Sequence, residues 1–154
     1  EGWDYTIQQN LTSLMMSNRA AVRRFRAQGS GGVILNMGSV LGFLPSPEYF
    51  SSHAYAAAKA GVEGFSKSLA SYYAKEGVRV NVITPALVET SMSERARAND
   101  EIMEYVSRKQ PLDGGRIGVP GDLDEAALLL LGEGGRFVTG QVLRVDGGWS
   151  VSGT

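Results

Sequence analysis

The chain has 154 residues, of which 43% are hydrophobic and 20% are charged, a composition that suits one globular domain with its own core. Its formal net charge of -1 gives no general electrostatic reason to bind nucleic acid or an anionic membrane. The absence of cysteine excludes disulfides and thiolate chemistry, and a single histidine cannot form a histidine metal cluster, so no metal site is predicted.

The first half of the chain predicts a helix, a strand and a second helix. Apolar residues recur at helical spacing over residues 3–25, which predicts a long amphipathic helix ended by the glycines of 29–32. The short, apolar, β-branched run at 33–38 predicts a buried strand. A proline-containing loop then leads into a helix that is predicted to run over residues 55–75.

The second half of the chain continues this alternation. Residues 78–83 predict a second strand, and a polar segment with a helix-like stretch inside it follows at 89–121. Asp122 is predicted to cap a short helix that ends at Gly132. Residues 141–146 predict a third strand, so helices and strands alternate along the whole sequence.

This alternation predicts an α/β fold, with parallel strands joined by right-handed crossovers and helices on both faces, in one domain over residues 1–154. Three strands are fewer than an average sheet contains, so we expect another segment to cover one edge of this sheet. We also expect a cytoplasmic protein without a membrane span. The longest strongly apolar run, at 126–131, is too short to cross a bilayer, and the chain opens without a signal-peptide pattern.

Three polar side chains are predicted to converge at the carboxyl end of this sheet. Tyr55 and Lys59 are one helical turn apart and share a helix face. Ser39 follows the first strand, where open α/β sheets bind their ligands. A free tyrosine has a pKa of about 10, and a neighbouring ammonium lowers the pKa of a phenol. We therefore predict that Lys59 makes Tyr55 a proton donor and acceptor near neutral pH, while Ser39 holds the substrate oxygen.

These motifs together resemble the short-chain dehydrogenase/reductase family, and in particular its 3-oxoacyl-carrier-protein reductase-like members. The Tyr-x-x-x-Lys pair at 55–59 is accompanied by "GS" at 38–39, "NVITPALVET" at 81–90 and "TGQVLRVDGG" at 139–148. The resemblance covers nearly the whole chain. It implies a Rossmann-type doubly wound parallel sheet, NAD or NADP as the cofactor, and a small-molecule carbonyl or alcohol as the substrate.

The resemblance also assigns roles to individual residues. Tyr55 matches the general acid and base, Ser39 the residue that polarises the carbonyl or alcohol, and Lys59 the residue that binds the nicotinamide ribose and tunes the tyrosine. Asn10 matches an asparagine that holds a proton-relay water. The residues that the resemblance places against the cofactor are Tyr55, Lys59, Pro85, Val88 and Thr90.

The sequence departs from the family pattern in one large respect, because the glycine-rich turn that seats the cofactor pyrophosphate does not occur in it. The chain looks like the C-terminal part of the fold, whose strands would be the fifth, sixth and seventh of the family's sheet. We expect the natural protein or another segment to supply the rest. The sequence does not distinguish NAD from NADP.

Two glycines inside the predicted second helix, Gly61 and Gly64, indicate that another element approaches closely there, because glycine costs roughly 1 kcal/mol relative to alanine in a helix. The family packs this helix and the first one against a second subunit, so the resemblance implies a homo-oligomer, either a dimer or a tetramer. Packing on the cofactor side is the alternative explanation of the two glycines.

Two other functions remain open at this point. A hydrolase that uses Ser39 and His53 would need a strained Gly-x-Ser-x-Gly turn, whereas the sequence around the serine reads "MGSVL". A truncated, catalytically silent chain that acts only in interaction or oligomerisation is the second alternative. Ser39 and Asn10 also have simpler explanations without a catalytic role. Ser39 could cap the turn after the strand, and Asn10 could face solvent on its helix.

Overall fold

The computed structural model describes residues 2–153 and contains one parallel three-stranded sheet. The strands are β1 (Gly32–Met37), β2 (Val78–Pro85) and β3 (Val142–Val145), and they lie in the spatial order β1-β2-β3. The three predicted strands are therefore confirmed as parallel neighbours. Strand β2 lies in the centre and is almost fully buried, because it pairs on both sides and is covered on both faces.

The first helical segment is long, as predicted, but it is interrupted near its start. Helix α1 (Trp3–Ile7) passes into a π-helical turn at Gln8–Thr12, and helix α2 (Ser13–Gln28) continues from there. Helix α2 ends at Gly29, whose φ of 67° lies in the left-handed region that glycine adopts without strain.

The second predicted helix is confirmed as α3 (His53–Tyr73), which begins two residues before the predicted position. The Ser52 hydroxyl caps it by accepting a hydrogen bond from the backbone N–H of Tyr55 at 3.3 Å. This cap places Tyr55 in the first turn of the helix.

The polar segment at 89–121 folds into two short helices. Helix α4 (Glu94–Arg97) and helix α5 (Asp100–Lys109) are separated at Asn99, whose side chain accepts a hydrogen bond from the N–H of Ile102 at 3.0 Å. The helix-like pattern in this segment was thus correct, although the sequence alone did not locate the break.

The prediction that Asp122 caps the next helix is wrong. Helix α6 spans Asp124–Leu131, and its N-cap position is Leu123. The Asp122 carboxylate instead accepts a hydrogen bond from the N–H of Val119 at 2.7 Å and pairs with Arg116 at 2.7 Å. It therefore closes the turn before α6 rather than the helix itself.

Helices cover both faces of the sheet, as predicted. Side chains alternate between the faces of a strand, and Val78 and Val80 of β2 pack in one buried cluster with Val22 of α2 and Ala70 of α3. Arg79, on the opposite face of β2, contacts the end of α6. The fold is a Rossmann-type α/β arrangement in which the central strand β2 is buried on both faces, whereas no residue of β3 is fully buried.

A second buried cluster lies beside the sheet, beneath the segment that contains α4 and α5. Its members are Val40, Ala96, Ile102, Val106 and Trp149, each no more than 7% exposed. It joins the loop after β1 to helices α4 and α5 and to the C-terminal turn. We call the sheet with the helices packed around the first cluster the body, and the region packed around the second cluster, which contains α4 and α5, the cap. The candidate site lies between the body and the cap.

The close approach predicted at Gly61 is confirmed, and it occurs within the chain. A Cβ atom at Gly61 would lie 2.9 Å from Leu11 Cδ2 in the π-helical turn, so this glycine allows α3 to pack against the first helical segment. A Cβ atom at Gly64 would meet no other atom within 4 Å in the described part of the chain. Within residues 2–153, therefore, packing explains Gly61 and does not explain Gly64.

Candidate active site

The seven residues that the sequence analysis singled out line one cavity of about 770 Å³. The cavity lies beyond the carboxyl ends of β1 and β2, with α3 on one side and the cap on the other. This is the position at which open α/β sheets bind ligands. The predicted residues that the structure brings together here are Asn10, Ser39, Tyr55, Lys59, Pro85, Val88 and Thr90.

Ser39 reaches the cavity because β1 ends in a close approach to β2. The N–H of Gly38 donates a hydrogen bond to the carbonyl of Ile83 at 2.8 Å, and a Cβ atom at Gly38 would lie 2.5 Å from Thr84 Cγ2. Ser39 follows in extended conformation, is 8% exposed, and accepts a hydrogen bond from the N–H of Leu41 at 3.2 Å. Both the turn-cap role and the site position of Ser39 are therefore present.

The turn after Ser39 is held directly against α3. A Cβ atom at Gly42 would lie 2.9 Å from the backbone nitrogen of Ala60 and 2.9 Å from the carbonyl carbon of Lys59. Any other residue at this position would push the turn away from the helix. Sequence analysis missed Gly42, and the only signal was a glycine within the apolar stretch that follows the serine.

Tyr55 is half-buried and lines the cavity together with Ser39. Burial raises the pKa of the Tyr55 phenol above its ordinary value, because the charged phenolate is poorly solvated there. The Ser39 side chain, a hydrogen-bonding partner of the phenol, lowers this pKa in part. Both residues line the same cavity, where their hydroxyl groups can act on one substrate.

The prediction that Lys59 lowers the pKa of Tyr55 is wrong for this structure, in which burial dominates. The Lys59 Nζ atom donates a hydrogen bond to the carbonyl of Met37 at 3.1 Å and lies 5.5 Å from the centroid of the Tyr55 ring. The carbonyl therefore takes one of the three N–H donors of the ammonium. Burial lowers the pKa of Lys59 itself.

Asn10 lies in the π-helical turn and lines the same cavity. Its side-chain Nδ2 donates a hydrogen bond to the carbonyl of Thr6 at 3.0 Å. A π-helical turn of this kind is rare and frequently marks a functional site, because it redirects side chains and carbonyl groups locally. Asn10 is therefore a part-buried wall residue and does not face solvent freely.

Aromatic side chains form the far wall of the cavity. Tyr49, Phe50 and Trp149 line it, and Trp149 packs edge-on against Phe50 with ring centroids 6.1 Å apart. The Asp146 carboxylate shapes the turn before Trp149 by accepting hydrogen bonds from two backbone N–H groups at 3.0 Å. The sequence gave no reason to place Trp149 beside Tyr49 and Phe50.

The charged side chains that line the cavity are cationic. Lys59 and Arg95 contribute positive charge, and no acidic side chain lines the cavity within residues 2–153. The hydroxyl group of Thr90 adds a hydrogen-bond donor. The donors of Lys59 and Thr90 suit the hydroxyl and phosphate groups of a dinucleotide, so the residues present fit that cofactor.

The remaining titratable groups do not form a rival centre. His53 is outside the lining of this cavity as described over residues 2–153, which removes the base that a serine hydrolase would need. The described residues contain no group of three or more histidine, aspartate or glutamate side chains that could hold a metal ion. In the same part of the chain, no helix has the length and apolar character needed to cross a membrane.

Known proteins share this sequence and architecture. A protein-family model described as enoyl-(acyl carrier protein) reductase matches residues 1–150. The 3-oxoacyl-[acyl-carrier-protein] reductase of Chlamydia trachomatis is 38% identical over 148 residues, which cover 96% of this chain and 56% of that protein. The chain thus spans about half the length of the curated relatives that it matches.

Two solved structures show the same fold. A gluconate 5-dehydrogenase from Burkholderia cenocepacia, in complex with NADP and tartrate, has a TM-score of 0.91 and 28% identity over 98% of this chain and 57% of its own. A short chain dehydrogenase from Leptospira borgpetersenii with bound NAD+ has a TM-score of 0.86 and 32% identity over 97% of this chain and 56% of its own. Together with the match over residues 1–150, these likenesses show that the chain belongs to the short-chain dehydrogenase/reductase family.

Proposed function

We propose that the protein containing this chain is an NAD(P)-dependent oxidoreductase that transfers hydride between a nicotinamide ring and a carbonyl or secondary alcohol. The observation that supports this most directly is the pairing of the Ser39 and Tyr55 side chains, with Lys59 beside the Tyr55 ring, in one cavity at the carboxyl end of the sheet. Family membership points to the same chemistry.

The cofactor-binding residues are those that line the cavity nearest the strand ends. Tyr55, Lys59, Pro85, Val88 and Thr90 would hold the nicotinamide and its ribose. Lys59 has three N–H donors, of which one is given to the carbonyl of Met37. When bound, the nicotinamide supplies the hydride in reduction and accepts it in oxidation. Relatives with NADP and with NAD+ support either dinucleotide.

The proton is moved by Tyr55. Because burial raises the pKa of its phenol, Tyr55 carries its proton at neutral pH and is ready to donate it to the oxygen of a carbonyl that is being reduced. The Ser39 hydroxyl donates a hydrogen bond to the same oxygen and stabilises the negative charge that develops there. In the oxidative direction, Tyr55 takes the proton back from the alcohol. Asn10, which lines the same cavity, would hold a water molecule that relays the proton.

The substrate is a small molecule, and the relatives give two types to test first. One is a 3-oxoacyl thioester, after the Chlamydia trachomatis reductase, and the other is a sugar acid, after the Burkholderia cenocepacia dehydrogenase. Parallel assays with both substrate types, each with NADH and with NADPH, would distinguish them. The aromatic wall supports a substrate with an apolar body.

The proposed function is tested by Tyr55→Phe in the protein that contains this chain. The variant loses the proton donor but little contact area, so turnover should fall by at least roughly 100-fold, while dinucleotide affinity measured by titration calorimetry stays close to the wild-type value. Turnover that is equal in the two proteins would refute the mechanism. Failure of the wild-type protein to bind any dinucleotide would support the catalytically silent alternative.

We also propose that the protein forms a homo-oligomer, a dimer or tetramer, through the first helical segment and α3. Gly64 supports this, because it has no packing partner within the described part of the chain, and Tyr72 on the same helix is 63% exposed. Light scattering after gel filtration would give the mass. The substitution Gly64→Leu should then shift the protein toward the monomer, and a monomeric wild-type protein would contradict the proposal.

A further inference from the structure

One cationic side chain in the cavity is left without a structural role. Lys59 is accounted for by the carbonyl of Met37 and the ring of Tyr55. Arg95 also lines the cavity, yet it forms no hydrogen bond or ion pair with any residue in the range 2–153. Two residues further on, Arg97 is paired with Glu89 at 2.9 Å. Arg95 is exposed to solvent at the cavity, and a guanidinium there without a partner in the described part of the chain is available to pair with an anionic group of a ligand.

The backbone that carries Arg95 is fixed in place on both sides. The Ser93 hydroxyl donates to the carbonyl of Thr90 at 2.9 Å and accepts from the N–H of Thr90 at 3.0 Å. Ala96 is 5% exposed and belongs to the buried cluster of the cap. Arg95 therefore projects from a short, anchored helix, α4, and only its side chain needs to be ordered when a ligand binds.

The cavity that Arg95 lines also has a large apolar component. Leu41, Tyr49, Phe50, Met92 and Trp149 line the same cavity, and within residues 2–153 its lining contains no carboxylate that would repel an anion. A ligand that satisfies this cavity has an apolar body and one anionic group. The planar guanidinium matches a carboxylate in two parallel hydrogen bonds, which gives direction as well as affinity.

We infer that Arg95 binds the carboxylate of the substrate, and that the substrate class is therefore a hydroxy or oxo carboxylic acid with an apolar body. This inference rests on the proposed function and deepens it by naming the substrate class. The carboxylate is anchored at α4, and the reacting oxygen lies at Ser39 and Tyr55. Arg95 thus decides specificity and takes no part in proton transfer.

The test uses the protein that contains this chain and a series of straight-chain secondary hydroxy acids with increasing separation between carboxylate and hydroxyl group. Each acid is compared with its methyl ester in the presence of NAD+ or NADP+, so that the ratio of kcat/KM for acid over ester reports recognition of the carboxylate alone. The variants are Arg95→Ala and Arg95→Lys. The matched control is Arg108→Ala on α5, an exposed arginine paired with Glu104 at 2.7 Å outside the cavity lining.

We expect the wild-type protein to prefer one or more acids over their esters, and Arg95→Ala to lower that ratio by roughly 10- to 100-fold. The KM for the dinucleotide stays unchanged, Arg95→Lys restores part of the preference, and Arg108→Ala behaves as wild type. A ratio that does not change in Arg95→Ala overturns the inference. A selective rise in the dinucleotide KM also overturns it, because Arg95 would then bind a cofactor phosphate.

A binding measurement separates failure of this inference from failure of the proposed function. Trp149 lines the cavity, so a fluorescence change that occurs in the wild-type protein and is lost in Trp149→Phe reports binding of the same acids and esters without turnover. Carboxylate binding that depends on Arg95 without any dinucleotide-linked turnover would refute the oxidoreductase proposal and support Arg95 as the anion site. Dinucleotide-linked turnover with an acid preference that does not depend on Arg95 would support the oxidoreductase proposal and refute Arg95 as the anion site.

Discussion

At the scale of single residues, the candidate site depends on the balance between burial and hydrogen bonding at one phenol. Tyr55 lies in the first turn of α3, where a phenolate would gain from the helix dipole, yet burial raises its pKa. The Lys59 ammonium, which would favour the phenolate, is held by the carbonyl of Met37. The site in this form is that of a protonated acid, which suits carbonyl reduction.

The direction of this pKa shift can be measured. In the dinucleotide-free protein, Tyr55 should ionise above the ordinary tyrosine pKa of about 10, because desolvation opposes the charged form. As the pH rises through that raised pKa, Tyr55 loses its proton. The rate of carbonyl reduction should then fall, and the rate of alcohol oxidation should rise. An ultraviolet titration of the wild-type protein minus Tyr55→Phe isolates the transition.

A matched control for this titration is Tyr72→Phe, which removes an exposed tyrosine of the same helix. It should leave the Tyr55 transition in place. If the difference curve showed Tyr55 ionising below pH 10, the effect of Lys59 would exceed that of burial, and the pKa prediction made from the sequence would be restored.

The second residue-scale prediction concerns Lys59. Lys59→Ala removes an ammonium that donates a hydrogen bond to the carbonyl of Met37 and lines the cavity. We expect dinucleotide affinity and kcat to fall together, each by roughly 10- to 100-fold, the effect of losing hydrogen bonds from a charged donor. Titration calorimetry and steady-state kinetics measure the two effects.

Lys67→Ala is the control for Lys59, since Lys67 lies on the same helix with an exposed side chain 4.0 Å from Glu63. It should leave both quantities within about twofold of wild type, as expected for a surface ion pair. Unchanged dinucleotide affinity in Lys59→Ala would show that the ammonium does not bind the cofactor.

Part of the candidate site could be predicted from the sequence, because the positions of its residues along one helix and at one strand end are local features of the chain. Tyr55 and Lys59 share a helix face, and Ser39 follows a strand at the edge where ligands bind, so local periodicity alone brought these three together. The contributions of Gly42 and Trp149 depend on the path of the loop after β1 and on the C-terminal turn. No sequence period encodes contacts between such distant segments.

At the scale of elements, an arginine of the central strand stabilises the end of a helix. Arg79 of β2 donates hydrogen bonds to the carbonyls of Leu130, Leu131 and Gly132 at the C-terminal end of α6, at 2.7 to 3.3 Å. It also donates to the carbonyl of Val138 at 3.2 Å. The last carbonyls of a helix have no partners within the helix, and a cation there is favoured by the helix dipole. One side chain thereby joins β2, α6 and the turn before β3.

The corresponding prediction is a loss of stability in Arg79→Met. The substitution keeps the apolar stem and removes the donors, so we expect the free energy of unfolding to fall by about 2 kcal/mol. Urea unfolding of the protein that contains this chain measures the change. Arg136→Met, at an exposed arginine with a single 3.4 Å bond to the carbonyl of Glu133, should stay within about 0.5 kcal/mol. Equal effects of the two substitutions would contradict the capping role.

At the scale of the whole molecule, the cavity joins two separately packed regions. Tyr55 and Lys59 belong to the body formed by the sheet and its helices, whereas Val40 and Trp149 belong to the buried cluster of the cap. A ligand in the cavity contacts both regions at once. The first strand pairs only with β2 among the described residues, so its other edge offers unpaired backbone groups of the kind that a further strand covers.

This arrangement predicts that dinucleotide stabilises the fold as a whole. At a dinucleotide concentration 100 times Kd, the free energy of unfolding should rise by about 2.7 kcal/mol, because the ligand binds the folded state alone. Thermal unfolding with and without NADH or NADPH measures the shift in Tm. At the same dinucleotide concentration, Lys59→Ala should show a smaller shift. A Tm that does not respond to either dinucleotide would contradict a cofactor site in this cavity.

The sequence by itself determined the order of helices and strands, the parallel sheet, the Tyr55–Lys59 pair and the family, because hydrophobic periodicity and short motifs are local properties of a chain. The tertiary structure decided where the Lys59 ammonium points, which direction the pKa of Tyr55 takes, and that Arg95 and Trp149 reach the same cavity. Burial and contact between distant segments set these features. Both arise only when the chain is packed, so spacing along the sequence cannot specify them.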